Sequence, residues 1–244
     1  MNGKSPEDHI SSAFDADLRQ IENLVVTMGG LVEQQIEDAA AVIVSRDLER
    51  AEALIAADKR VDEVEEEIDQ LVVRVIALRQ PKAQDLRAVM ASLKIASDLE
   101  RIGDYAKNLA KRTKVLAQVP TVGNTAKSVK RMCMMVRQMV KDVLDAYLSR
   151  DLASADEVRL RDEDVDQVHN NLFRSLLTYM LEDPRNITPC MHLLFIAKNV
   201  ERMGDHATSV AEQVHFLIAG EMPDDERPKG DTTSTTLVGA ESAA

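Results

Sequence analysis

An all-α fold of two tandem, pseudo-symmetric three-helix bundles is predicted by three observations. Apolar residues recur at helical spacing through almost all of residues 14–218. Alanine, leucine, valine, glutamate and arginine dominate, aromatic content is 3% and tryptophan is absent, which is the composition of long packed helices. The chain is also duplicated. Ser45-Arg46-Asp47-Leu48 returns as Ser149-Arg150-Asp151-Leu152, and Val61-Asp62-Glu63-Val64 as Val165-Asp166-Gln167-Val168, at one constant offset.

Breaks in the periodicity near residues 45–47, at Pro81, across 118–124 with Pro120 and Gly123, near 149–151, and across 184–189 cut the chain into six helices. Asp47 and Asp151 are natural N-caps, and Thr188 followed by Pro189 reads as a cap with proline in the first helical position. Most of these helices exceed about 30 Å. Helices of that length joined by short turns pack as antiparallel neighbours, so each repeat should form an elongated three-helix bundle. The expected organisation is a flexible N-terminus over 1–13, a first repeat over 14–117, a linker over 118–124 and a second repeat over 125–220. A disordered acidic tail over 221–244, rich in Asp, Thr, Ser, Pro and Ala, completes it.

At 244 residues and 45% hydrophobic content, the chain can bury a substantial core. Its net charge of −12 disfavours a phosphate backbone or an anionic lipid surface as partner, so no nucleic acid is expected. No apolar run approaches the roughly 20 residues needed to span a bilayer, and the polar amino terminus is unlike a signal peptide, so a cytoplasmic location without direct membrane insertion is expected. Cys133 and Cys190 fall at unrelated places in the two repeats and read as reduced core or edge residues. Met132, Met134, Met135 and Met139 read as adaptable core packing on the fourth helix.

Function is most legible in a third duplicated segment. Glu100-Arg101-Ile102-Gly103-Asp104-Tyr105-Ala106 returns as Glu201-Arg202-Met203-Gly204-Asp205-His206-Ala207. Each copy sets two carboxylates one helical turn apart on one face, about 6 Å along the axis, where like charges repel. The glycine before each aspartate costs a further ~1 kcal/mol in a helix interior. Keeping both costs in both copies points to something held there, most simply a multivalent cation. A second acidic pair precedes each segment on the helix before: Asp58 with Asp62, and Asp162 with Asp166. In an antiparallel hairpin turning at Pro81, Asp62 stands level with Glu100 and Asp58 with Asp104; around Pro184, Asp166 pairs with Glu201 and Asp162 with Asp205. Four carboxylates per bundle would thus share one height on helices about 8–10 Å apart. Such a set suits hard cations such as iron, manganese, magnesium or calcium, singly or as an ion pair. On a helical wheel Glu100, Asp104, Glu201 and Asp205 flank the apolar stripe, so the sites should be shallow. His206, in the place of Tyr105, could tune the second site, and Arg101 and Arg202 read as neutralising the neighbouring acids.

On these residues the chain resembles the PhoU family. The likeness covers about residues 10–220 and rests on Ser97-Asp98-Leu99-Glu100-Arg101-Ile102-Gly103-Asp104-Tyr105-Ala106-Lys107-Asn108, on its second copy from Lys198 to Ala207, and on the duplication, length and helix order. The resemblance implies two tandem three-helix bundles and a cytoplasmic negative regulator of the phosphate-starvation response. It implies as partners a phosphate ABC transporter and a sensor histidine kinase, and a homodimer. It also implies divalent or trivalent metal ions (iron, zinc, manganese or magnesium) on Glu100, Asp104, Glu201 and Asp205, with Asp58, Asp62, Asp162 and Asp166 as their partners. A metal-dependent enzyme is the rival reading, but no Glu-x-x-His ligand motif, Ser/His/Asp or Cys/His set, or glycine-rich phosphate loop is present, and the chain is expected not to be an enzyme. A structural or storage metal-binding bundle is the third reading.

Overall fold

A computed structural model describes residues 6–224 and 230–233, with side chains from residue 13 onward. Among these residues there are seven α-helices, one 3₁₀ turn and no strand. The first bundle contains α1 (Pro6–Ser45), α2 (Leu48–Ala57), α3 (Lys59–Arg79) and α4 (Gln84–Leu116). The second contains α5 (Thr125–Ser149), α6 (Leu152–Glu182) and α7 (Ile187–Ala219), with the 3₁₀ turn Pro184–Asn186 before α7. The six expected helices are therefore present, with two local differences. Helix α1 starts earlier than Phe14, so residues 6–13 are helix where a flexible lead-in was expected. The second helix is divided at Asp58, where Val61 N–H donates to the Asp58 carbonyl at 2.8 Å in a 3₁₀-type bond. Asp58 keeps helical dihedrals, φ −57° and ψ −35°, so α2 and α3 run on as one rod.

The hairpin signals act as their chemistry requires. Asp47 accepts the N–H of Arg50 at 3.0 Å, and Asp151 that of Ser154 at 3.2 Å, each satisfying an orphan donor of the first turn. The residue before each cap, Arg46 or Arg150, takes a left-handed conformation that closes the preceding helix. Thr188 does not cap α7. Its helix begins at Ile187, with Pro189 inside the first turn, and Asp183 instead caps the 3₁₀ turn by accepting the Arg185 N–H at 2.9 Å.

Packing follows the apolar stripes: on α3, Val61, Val64, Ile68, Leu71, Val72 and Val75 are all buried. The two bundles are not separate bodies. Helix α4 lies along α7 and α1 along α5, and the buried apolar residues of both repeats join one continuous core. Met132 and Met139 belong to it, and both cysteines are buried free thiols, with burial pushing Cys133 up to about 12. No helix among the described residues is long and apolar enough to cross a membrane. The tail expected to be disordered over 221–244 is described only in part, and residues 230–233 lie against α6 and α7.

Candidate functional site

In the first bundle the glycine of the signature explains itself. A Cβ on Gly103 would lie 2.8 Å from Gln35 Oε1, so the absent side chain makes room for the Gln35 amide, while Asp58 Oδ1 at 3.6 Å is in ordinary contact. Asp58 is only 3% exposed. Gln35, itself buried, donates to Asp58 Oδ1 at 3.5 Å. The charge is met by Lys107, one turn beyond Asp104, whose ammonium donates to both Asp58 and Asp104, the latter at 2.5 Å. The expected pairing of Asp58 with Asp104 is thus made through a lysine.

Glu100 and Asp104 share a hydrogen bond and divide their protonation. Burial, then the Asp104 charge, pushes the Glu100 carboxyl up to about 7, against the pull of Arg101. Burial also acts to raise Asp104, but the bond and charge of Lys107 and the bond from Glu100 outweigh it and hold that carboxyl below its ordinary range. Asp62 is exposed on the rim; burial of its carboxyl and the charge of Asp58 raise its pKa. Arg101 lies 3.5 Å from Glu100 and 3.8 Å from Asp104, in the neutralising role expected of it.

The second bundle repeats the scaffold but changes the contents. A Cβ on Gly204 would lie 2.9 Å from Asp162 Oδ1, so Asp162 is tucked in as Asp58 is. The lysine is moved: Thr208 stands in the place of Lys107, and Lys198 in the place of Ser97. Lys198 donates to Glu201 at 2.7 Å and to Asp231 of the C-terminal segment at 2.8 Å. Asp231 is held at about 2, because the Lys198 and Thr233 bonds outweigh its burial. Burial raises Glu201 and Asp166, against Lys198 and the Gly230 N–H respectively, and the charge of Asp205 adds to both. His169, in the place of Glu65, is buried and pushed down by burial; its Nδ1 and Glu201 Oε2 are both buried without a hydrogen-bond partner. His206 does not face this cluster. It crosses to the first repeat, where Nδ1 meets Asp98 Oδ1 at 2.8 Å and its ring lies 5.8 Å from that of Tyr105.

One expectation changes. The sites are not uniformly shallow, since Asp58, Asp162, Asp166 and Glu201 are all buried. Among the described residues no three Asp, Glu, His or Cys side chains close on a point that could hold an ion. The donors have the hardness that such a cation needs. Lys107 and Lys198, however, stand among them as resident cations. Both lysines sit one turn from a signature acid, a spacing visible in the sequence; Gln35, Asn170 and residues 230–233 carry no such signal.

Glu100 gives a direct check. Between the ordinary glutamate range and about pH 7 the folded chain holds a proton that the unfolded chain lacks, so its stability falls as pH rises through that window. Glu100→Gln is expected to leave Tm nearly unchanged at pH 5 and to raise it at pH 8 by about 2–4 °C, the equivalent of ~1 kcal/mol after solvent screening. Parallel melting curves for the two proteins from pH 5 to 8 would remove the shared proton.

With this geometry in view, three comparisons bear on the chain. The family model for the PhoU domain matches it twice, over residues 25–113 and 129–214. It is 46% identical over 227 residues to a phosphate-specific transport system accessory protein PhoU homolog of Rhizobium meliloti (strain 1021), covering 93% of this chain and 96% of that one. It is 37% identical over 244 residues to the phosphate-specific transport system accessory protein PhoU of Escherichia coli (strain K12), covering 99% of each. The crystal structure of PhoU from Pseudomonas aeruginosa superposes with a TM-score of 0.82 at 36% identity, over 85% of this chain and 100% of that one.

Proposed function

This chain belongs to the PhoU family, and from that premise we propose that it is the accessory protein of a phosphate-specific transport system, acting as a cytoplasmic negative regulator of phosphate uptake. In this role it couples a phosphate ABC transporter to a sensor histidine kinase by contact, without chemistry of its own. The observation that carries the reading is the likeness along nearly the whole chain to proteins named for that accessory role, with both signature segments intact. Long rigid helices around one shared core suit an adaptor, since they hold separate surfaces in fixed relation.

The carboxylate clusters are the proposed seat of cation binding on Asp58, Asp62, Glu100, Asp104, Asp162, Asp166, Glu201 and Asp205. Lys107 and Lys198 already supply positive charge there, so a hard divalent ion enters in competition with them. That competition makes occupancy depend on metal concentration, whereas a sealed structural metal would be permanent.

A phosphate-uptake reporter tests both parts in cells lacking this protein and any paralogue, grown in phosphate-rich medium. The wild-type chain is expected to silence the reporter, and the combined Glu100→Gln, Asp104→Asn, Glu201→Gln and Asp205→Asn variant to leave it at the starved level while melting as a folded protein. Silencing by both proteins removes the clusters from regulation and leaves the adaptor. A reporter already silent without the protein overturns the assignment.

A further inference from the structure

Residues 230–233 lie across α6 and α7 in the way a groove holds a bound peptide. The Asn170 amide grips the main chain on both sides of Asp231: Nδ2 donates to the Gly230 carbonyl at 2.6 Å, and Oδ1 accepts the Thr232 N–H at 3.1 Å. Asp166 Oδ2 accepts the Gly230 N–H at 2.8 Å. Lys198 takes the Asp231 carboxylate at 2.8 Å, and Thr233 closes on the same carboxylate through its N–H at 2.9 Å and its hydroxyl at 2.7 Å. The segment is thereby folded into the compact turn in which it is held.

These contacts select a pattern. Glycine is favoured first, because a Cβ there would lie 3.1 Å from Asp166 Cβ, a contact that a larger residue makes only if its neighbour gives by a few tenths of an ångström. An acid is required second, for Lys198, and a hydroxyl residue two positions later secures that acid from within the peptide. Nothing in the set depends on the segment being tethered to α7. It reads the main chain of a short turn and one carboxylate, as sites that bind short peptides do. The groove is absent from the first bundle, where Glu66 and Ser97 occupy the places of Asn170 and Lys198.

We propose that this face of α6 and α7 is a docking site for a linear Gly-Asp-x-Thr segment, occupied in cis by residues 230–233 and taken in trans by a partner protein carrying the same pattern. The chain's own segment then acts as a resident competitor, so docking of the partner is coupled to release of the tail. A tethered segment at an effective concentration on the order of 1 mM, set against a free peptide of ~100 μM affinity, weakens trans binding about tenfold. The inference stands on the groove alone and does not need the metal reading.

The test uses a fluorescein-labelled peptide spanning residues 227–236 and full-length protein throughout. In a Gly230→Val/Asp231→Lys variant, whose own segment cannot seat, the peptide is expected to bind about tenfold more tightly than to wild type. Binding should be lost with the same peptide carrying alanine for its aspartate, a control that does not touch the protein fold, and also on adding Asn170→Ala. Hydrogen exchange in the wild type should show protected Gly230 and Thr232 amides. Equal binding to wild type and released variant, insensitivity to the peptide's aspartate, or unprotected tail amides would each overturn the proposal. A wild-type dimer whose tails are exchanged between copies would overturn the cis assignment.

Discussion

Replacing Lys107 by alanine is expected to destabilise the folded chain by about 2–4 kcal/mol at neutral pH, because it leaves the buried Asp58 carboxylate without its counter-charge. Asp58 is 3% exposed and its other hydrogen bond is the weak 3.5 Å one from Gln35, so among the described residues no second cation is paired with it. The dependence on pH has a definite sign. Asp104 is held below its ordinary range by Lys107, so the stability it contributes is present above that range and lost as pH falls through the lowered folded-state value. The gap between wild type and variant should therefore be widest near neutrality and close in acid. Denaturant titration at several pH values measures it. The same variant examines the cation proposal. With the resident ammonium gone, millimolar manganese should recover much of the lost stability in Lys107→Ala and do little for wild type. Recovery in neither protein would separate the first cluster from metal binding altogether.

The second large effect concerns the union of the two bundles. Tyr147 on α5 is 1% exposed and its hydroxyl meets Ser92 Oγ on α4 at 2.8 Å, tying the second repeat to the first inside the shared core. Arg150 caps the ring from outside, 5.0 Å from its centroid. Tyr147→Ala should cost about 3–5 kcal/mol through the cavity left behind, a fall of roughly 10 °C in Tm for a chain of this length. Tyr147→Phe, which loses only the hydroxyl bond, should cost about 1 kcal/mol. Calorimetry of the alanine variant should still show one transition, since the buried residues of both repeats form a single cluster. A second, separate transition would mean that the repeats unfold independently.

The division between what was legible in the chain and what was not follows the range of the interactions involved. Helix positions, the caps at Asp47 and Asp151, and the level of Asp58 with Asp104 depend on residues a few places apart or equidistant from one turn, so periodicity and the duplicated signature carry them. The requirement for Gly103 and Gly204 was also visible, although its cause, the Gln35 side chain of α1 over the first glycine and Asp162 of α6 over the second, was not. Duplication by itself suggested two equal and shallow sites. Packing made them unequal: a lysine in the signature helix reaches back to a buried aspartate in the first, while in the second Lys198 reaches a tail segment more than 30 residues further along the chain. The sequence alone determined the helices, the repeat and the carboxylate positions, because those follow from local spacing. Tertiary structure alone decided which charges are buried, which cation answers them and what covers the second site, because desolvation and pairing depend on what the fold brings to the other side.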